Sequence, residues 1–139
     1  MAQKVRDVMT QNPVTMPRTA AVTEAAKRMR DEDIGDVIVM NDGDMCGLVT
    51  DRDIVVRAVA EGADPQFTKL GEICSGDVVT VGPDDSIEAA VRVMRERAVR
   101  RVPVVEGNRP VGIVSIGDLA IERDEGSALA DISAAESNN

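Results

Sequence analysis

The chain has 139 residues and a mass of 14.8 kDa, room for one ordinary domain or two small ones sharing a core and too short for a barrel enzyme. Sixteen Lys and Arg stand against 25 Asp and Glu, a formal net charge of −9, so the molecule's field repels nucleic-acid backbones and anionic lipid surfaces. There is no His, Trp or Tyr and one Phe, Phe67, which excludes imidazole catalysis, His-containing metal sites and base stacking on aromatic rings.

No apolar run approaches the roughly 18 residues of a membrane span, and the opening MAQKVRDVMTQNP lacks the apolar stretch of a secretory signal. The expectation is a soluble cytoplasmic protein. A shift of 65 positions aligns Lys4–Val56 with Lys69–Ile121 without a gap, with 11 identities in 53 positions and the apolar register kept throughout. Asp7/Glu72, Thr10/Ser75, Ile34/Val99, Thr50/Ser115 and Ile54/Leu119 keep their chemistry. The chain is an internal duplication.

In the first copy a strand is expected around Val14-Thr15-Met16. A helix follows, starting near Thr19, with an apolar stripe at Val22, Ala25, Ala26 and Met29. Then come a buried strand over Val37–Met40, a hairpin turn at Asn41–Asp44, a strand over Gly47–Val49 and a helix from Thr50. Residues 57–68 read as a connection.

The second copy repeats the order. A strand is expected over Val78–Val81, then a helix announced by Pro83, Asp85 and Glu88, with its stripe at Ile87, Ala90, Val91 and Met94. Strands over Val102–Val105 and Gly112–Val114 flank a turn at Glu106–Arg109, and a helix begins at Ser115. Residues 122–139 are expected as an acidic, mobile tail. The fold class is α/β (α+β): two tandem β-α-β-β-α repeats, 4–56 and 69–121, packed with pseudo-twofold symmetry through their sheets.

Chemistry is concentrated in GLVTDRD at 47–53 and GIVSIGD at 112–118. Each puts a hydroxyl where a buried strand meets a helix start, with an aspartate three residues on. Unpaired helix N–H groups and the hydroxyl of Thr50 or Ser115 suit a phosphate. Asp53 or Asp118 suits a vicinal diol such as that of ribose. The same spacing describes a helix cap, and the sequence leaves both readings open. The glycine ahead of each element allows close approach of a ligand or a neighbouring backbone. Arg100 and Arg101, beside a strand start, are placed either to reach a ligand phosphate or to form surface ion pairs. Cys46 and Cys74 have no metal-ligand spacing; they read as small apolar-tolerant residues, with a redox pair as the alternative. A metal-dependent hydrolase using Asp51 and Asp53 is a distant alternative.

Val8-Met9-Thr10, Pro13-Val14-Thr15, Glu24-Ala25-Ala26 with Met29, the strand Arg101–Val105 and the two Gly-x-Val-[Thr/Ser]-x-x-Asp elements together resemble a tandem pair of cystathionine-β-synthase (CBS) domains, a Bateman module, over residues 4–121. The resemblance implies a non-enzymatic regulatory module that binds an adenosine-containing small molecule (AMP, ADP, ATP or S-adenosylmethionine) in clefts between the repeats, with no cofactor required; the absent histidine gives the expectation of no metal. It also implies a homodimer, a possible further protein partner, and no nucleic acid or membrane. On that resemblance Asp53 and Asp118 hold ribose, and Thr50 and Ser115 face phosphate. The loops with Thr10, Asn12 and Pro13 and with Ser75, Asp77 and Val78 enclose the base, together with Ile34, Gly35 and Val37 and with Arg100, Arg101, Val102 and Pro103. The first copy carries Gly35 and Asp36 where the second has Arg100 and Arg101, and Val78 stands where the first has Pro13, so unequal sites are expected. A ligand-independent scaffold is the alternative.

Overall fold

The computed structural model describes residues 4–76 and 78–123. In chain order they form a 3₁₀ turn (Val5–Asp7), β1 (Thr10–Gln11), β2 (Thr15–Pro17), α1 (Val22–Glu32), β3 (Asp36–Asn41) and β4 (Asp44–Thr50). There follow α2 (Asp51–Asp53), running on in π-helical turns over Ile54–Val59, then α3 (Leu70–Ile73), α4 (Ile87–Arg97), β5 (Arg101–Glu106), β6 (Arg109–Ser115) and α5 (Ile116–Arg123). Asp77, and all but the first two residues of the tail expected at 122–139, lie outside the described residues.

The described residues divide into two compact units, one of 14–76 with 78 and one of 4–13 with 79–123. These units do not follow the sequence repeats. The opening segment of each copy packs with the body of the other: Val5 N–H donates to Asp85 O and Arg6 N–H to Pro83 O, both at 2.9 Å, while Leu70 N–H donates to Ala20 O and Gly71 N–H to Arg18 O, also at 2.9 Å. Arg6 adds an ion pair to Asp84 at 2.8 Å.

The first unit, 14–78, holds the sheet β2-β3-β4, with β2 parallel to β3 and β3 antiparallel to β4. Its core is Val22, Ala25 and Met29 of α1 against Val37, Val39 and Val49 of the sheet, closed by Leu70 and Ile73. The stripe of α1 buries Val22, Ala25 and Met29 as its spacing predicts, while Ala26, also expected in it, is exposed; each fully buried valine contributes about 1.5–3 kcal/mol. No side chain caps α1 at Ala21. Its first amides are met instead by carbonyls of the connecting segment, Val22 N–H to Thr68 O at 2.9 Å and Thr23 N–H to Pro65 O at 3.0 Å, so residues 57–68 are part of this unit rather than a bare link.

The second unit holds the sheet β1-β6-β5 and a matching core of Val5, Ile87, Ala90, Met94, Val102, Val104, Val114 and Leu119. Two local readings are corrected. The cap of α4 is Ser86, accepting from Ala89 N–H at 3.1 Å, while Asp85 instead accepts from Gly82 N–H at 2.8 Å. The strand expected over Val78–Val81 reduces to one parallel bridge, Val81 to Val104. In the first unit Ile38 N–H donates to Val14 O at 2.9 Å; its counterpart is Pro103, which has no N–H to give. Both hairpins form: Asp42 and Gly43 turn the first with φ of 53° and 87°, and Gly107 turns the second at 64°.

Candidate ligand-binding site

The structure makes both Gly-x-Val-[Thr/Ser]-x-x-Asp elements reciprocal capping boxes. Thr50 N–H donates to Asp53 Oδ2 at 2.9 Å and Asp53 N–H to Thr50 Oγ1 at 3.1 Å. Ser115 N–H donates to Asp118 Oδ2 at 2.9 Å and Asp118 N–H to Ser115 Oγ at 3.1 Å. Both aspartates are thereby fixed at the strand–helix junction. Capping does not exhaust them, because each carboxylate oxygen has two acceptor positions and the hydroxyls keep a hydrogen to donate.

The two helix starts differ in charge. In both units the next amide is taken by a strand-start carbonyl, Asp51 N–H to Gly35 O at 3.0 Å and Ile116 N–H to Arg100 O at 2.9 Å. In the first unit Arg52 N–H is also occupied, by Asp51 Oδ1 at 2.8 Å. The expectation of open amide donors is therefore wrong for Thr50: all four leading N–H groups are used and a carboxylate sits on the helix start. Ile116 replaces that aspartate in the second unit, so no side chain there covers the helix start as Asp51 does in the first. Asp53 has an added cation, Arg57, at 3.7 Å from Oδ1, and Arg57 also donates to Ile73 O at 3.2 Å.

The loops expected near the base come to these junctions from the opposite copy of the sequence. In the second unit Thr10 stands opposite Ile113 and Gln11 opposite Gly112; in the first unit Ser75 bridges Leu48. The glycines serve this backbone crossing. A Cβ at Gly47 would lie 2.6 Å from Ser75 O, and one at Gly112 would lie 2.9 Å from Thr10 O.

Thus Ile34, Gly35, Thr50, Asp53, Ser75 and Val78 belong to the first unit, and Thr10, Asn12, Pro13, Arg100, Arg101, Ser115 and Asp118 to the second. Arg101 pairs in register with Ser115, as Asp36 does with Thr50. Asn12 holds a left-handed φ of 56°, a conformation its short polar side chain tolerates. Val37, Val102 and Pro103 have fully buried side chains. Asp77 lies outside the described residues.

The sequence reading missed the short helical turns ahead of each crossing. They are fixed by Lys4 N–H to Asp7 Oδ2 at 3.2 Å and Lys69 N–H to Glu72 Oε2 at 2.7 Å; the matched acids Asp7 and Glu72 were the available signal. Among the described residues no cluster of three or more Cys, Asp or Glu could hold a metal ion, and no helix is long and apolar enough to cross a membrane.

Comparison with known proteins agrees with this architecture. Hypoxic response protein 1 of Mycobacterium tuberculosis is 39% identical over 116 residues, covering 83% of this chain and 81% of that protein. A crystal structure of Hypoxic Response Protein I with two coordinated zinc ions superposes with a TM-score of 0.77 at 38% identity, covering 84% of this chain and 96% of that one. The CBS domain pair of protein MJ0100, solved in complex with 5′-methylthioadenosine and S-adenosyl-L-methionine, superposes with a TM-score of 0.79 at 25% identity, covering 89% and 98%. The CBS domain family model matches residues 5–59 and again 70–124. The chain belongs to the CBS-domain family and carries two copies of that domain.

Proposed function

We propose that this chain is a non-enzymatic sensor of adenosine-containing small molecules, with Asp53 and Asp118 accepting the ribose hydroxyls. The observation that carries the reading is the duplicated capping box, which fixes each carboxylate through Oδ2 and leaves Oδ1 outside the cap bond. The adenosine compounds named for the MJ0100 pair point to the same ligand class.

Charge divides the two sites. The second unit offers a helix start with Ile116 in place of an aspartate, the Ser115 hydroxyl and the exposed Arg100, a set that favours a phosphate-bearing ligand such as AMP, ADP or ATP. At the first unit Asp51 occupies the helix start and Asp36 lines up with Thr50, so a neutral or cationic adenosine derivative is favoured, S-adenosylmethionine among them. Filling either site acts by differential affinity for two conformations, without a catalytic group.

Exposed Val55, Val56 and Val59 on the turns after α2, the first of them 59% exposed, support self-association into a homodimer and favour a ligand-independent scaffold as the second reading. Absorbance separates the two. A chain without Trp or Tyr barely absorbs at 280 nm, so a 260 nm band on purified protein reports bound nucleotide. Ligand at 100 times Kd adds about 2.7 kcal/mol of stability; no band and no shift in melting at millimolar AMP, ATP or S-adenosylmethionine would leave the scaffold.

A further inference from the structure

The two cysteines, 28 positions apart in sequence, meet in the first unit. Cys46 occupies an irregularity of β4: Val39 faces Gly47 and Met40 faces Met45, so Cys46 is the unpaired extra residue of a bulge. Cys74 ends α3 and enters the backbone crossing, where Ser75 N–H donates to Leu48 O at 3.1 Å and Leu48 N–H to Ser75 O at 3.4 Å. A Cβ at Gly47 would lie 2.9 Å from Cys74 Sγ and 3.2 Å from Cys74 Cβ. Gly47 adjoins Cys46, so this contact puts the Cys74 thiol beside the bulge that carries Cys46. Both residues are half-buried against the same core, so solvent reaches each.

The duplication supplies an internal control. In the second unit the corresponding residues are Val111, again the unpaired residue of the bulge, and Met9, whose sulfur lies beside Gly112 as Cys74 does beside Gly47. The pocket thus needs only apolar bulk to pack. Two thiols in one unit and none in the other exceed that requirement.

We propose that Cys46 and Cys74 form a reversible dithiol–disulfide site that exchanges with low-molecular-weight disulfides and fastens the crossing segment to β4. The Cys46 thiolate attacks the external disulfide, and one small thiolate leaves with the bonding pair and takes a proton from solvent. Cys74 then gives its proton to solvent and its sulfur attacks Cys46 Sγ, expelling the second small thiolate. Two protein thiols become one disulfide while one external disulfide becomes two thiols. Burial, then the neighbouring Cys46, raise the Cys74 pKa above its ordinary value, with nearby Arg18 opposing them; attack therefore starts at Cys46 and Cys74 resolves the intermediate.

The test uses the whole chain equilibrated in glutathione and glutathione-disulfide mixtures, quenched in acid, alkylated and weighed intact, with peptide mapping. The expected product is a monomer two mass units lighter than the dithiol, taking up no alkylating agent, with the peptides of Cys46 and Cys74 joined. In Cys74→Ser a stable glutathione adduct accumulates on Cys46, whereas Cys46→Ser takes up glutathione at least tenfold more slowly. Two alkylated thiols in every mixture, adducts on both cysteines without closure, or disulfides only between chains would each overturn the proposal. None of these readouts depends on nucleotide binding, so this site and the sensor reading fail separately.

Discussion

Asp118 is bound to the cap and is also the proposed ribose acceptor, and three substitutions separate those roles. In Asp118→Asn the side-chain oxygen still accepts from Ser115 N–H, now 2.9 Å from Oδ2, while an NH₂ donor replaces Oδ1, the proposed ribose acceptor. Ser115→Ala does the reverse: it removes the acceptor of Asp118 N–H at 3.1 Å and keeps the carboxylate. Loss of one cap bond costs about 1 kcal/mol, a few degrees in melting temperature for a unit of this size. Loss of hydrogen bonds to a charged acceptor costs about 1.5–3 kcal/mol each, roughly tenfold to 150-fold in Kd. Asp118→Asn is therefore expected to melt close to the wild type and to lose at least about tenfold in affinity for AMP. Ser115→Ala is expected to melt lower with a smaller change in Kd, and Asp118→Ala to show both losses. The assay is paired thermal melting and titration calorimetry. If Asp118→Asn binds AMP as the wild type does, the carboxylate is a cap and nothing more, and the ribose assignment falls.

Further consequences are open to simpler measurement. Gly47→Ala drives a methyl to 2.6 Å from the fixed Ser75 carbonyl, so thermal unfolding should show a loss of about 1–3 kcal/mol. Gly112→Ala, where the nearest atom is the flexible Met9 thioether, should lose less; the opposite ranking would refute the crossing geometry. The Arg6 guanidinium, with Lys4 beside it, holds the Asp84 carboxyl below its ordinary value of 3.8. A depressed native pKa means stability is fully present above the ordinary value and drains away as pH falls through the native one. Melting followed from pH 5 downward should therefore fall less steeply in Asp84→Asn, and parallel curves would count against the tether. Closing the 28-residue span from Cys46 to Cys74 raises stability by about 3–4 kcal/mol in the chain-entropy description, read as a higher melting temperature for oxidised than for reduced protein.

Much of the fold is legible in local pattern. The stripes of α1 and α4 bury three of the four residues that each spacing names, leaving Ala26 exposed and Val91 half-buried, and the Asn41–Asp44 turn forms where Asp-Gly allows positive φ. What escapes is tertiary. Val5 and Leu70 hold matched positions in the repeat and both are fully buried, yet nothing in either segment says that it packs with the opposite copy. The strand at Val78–Val81 fails for a reason written far away in sequence, at Pro103, which lacks the amide that Ile38 supplies. Thr50 and Asp53 read equally as a cap and as a ligand group because the same spacing suits both, and the structure forms the cap. The blocked helix start could be read only once Asp51 was seen to fold back onto Arg52 N–H.

Whether the second unit selects an adenosine ligand bearing phosphate is read by titrating the ligand-free chain with AMP and with adenosine, then repeating the pair on Arg100→Ala. AMP is expected to bind saturably and at least about tenfold tighter than adenosine, with most of that preference lost in the variant. Equal affinities for AMP and adenosine in the wild type, or no heat from either at millimolar concentration, would contradict it.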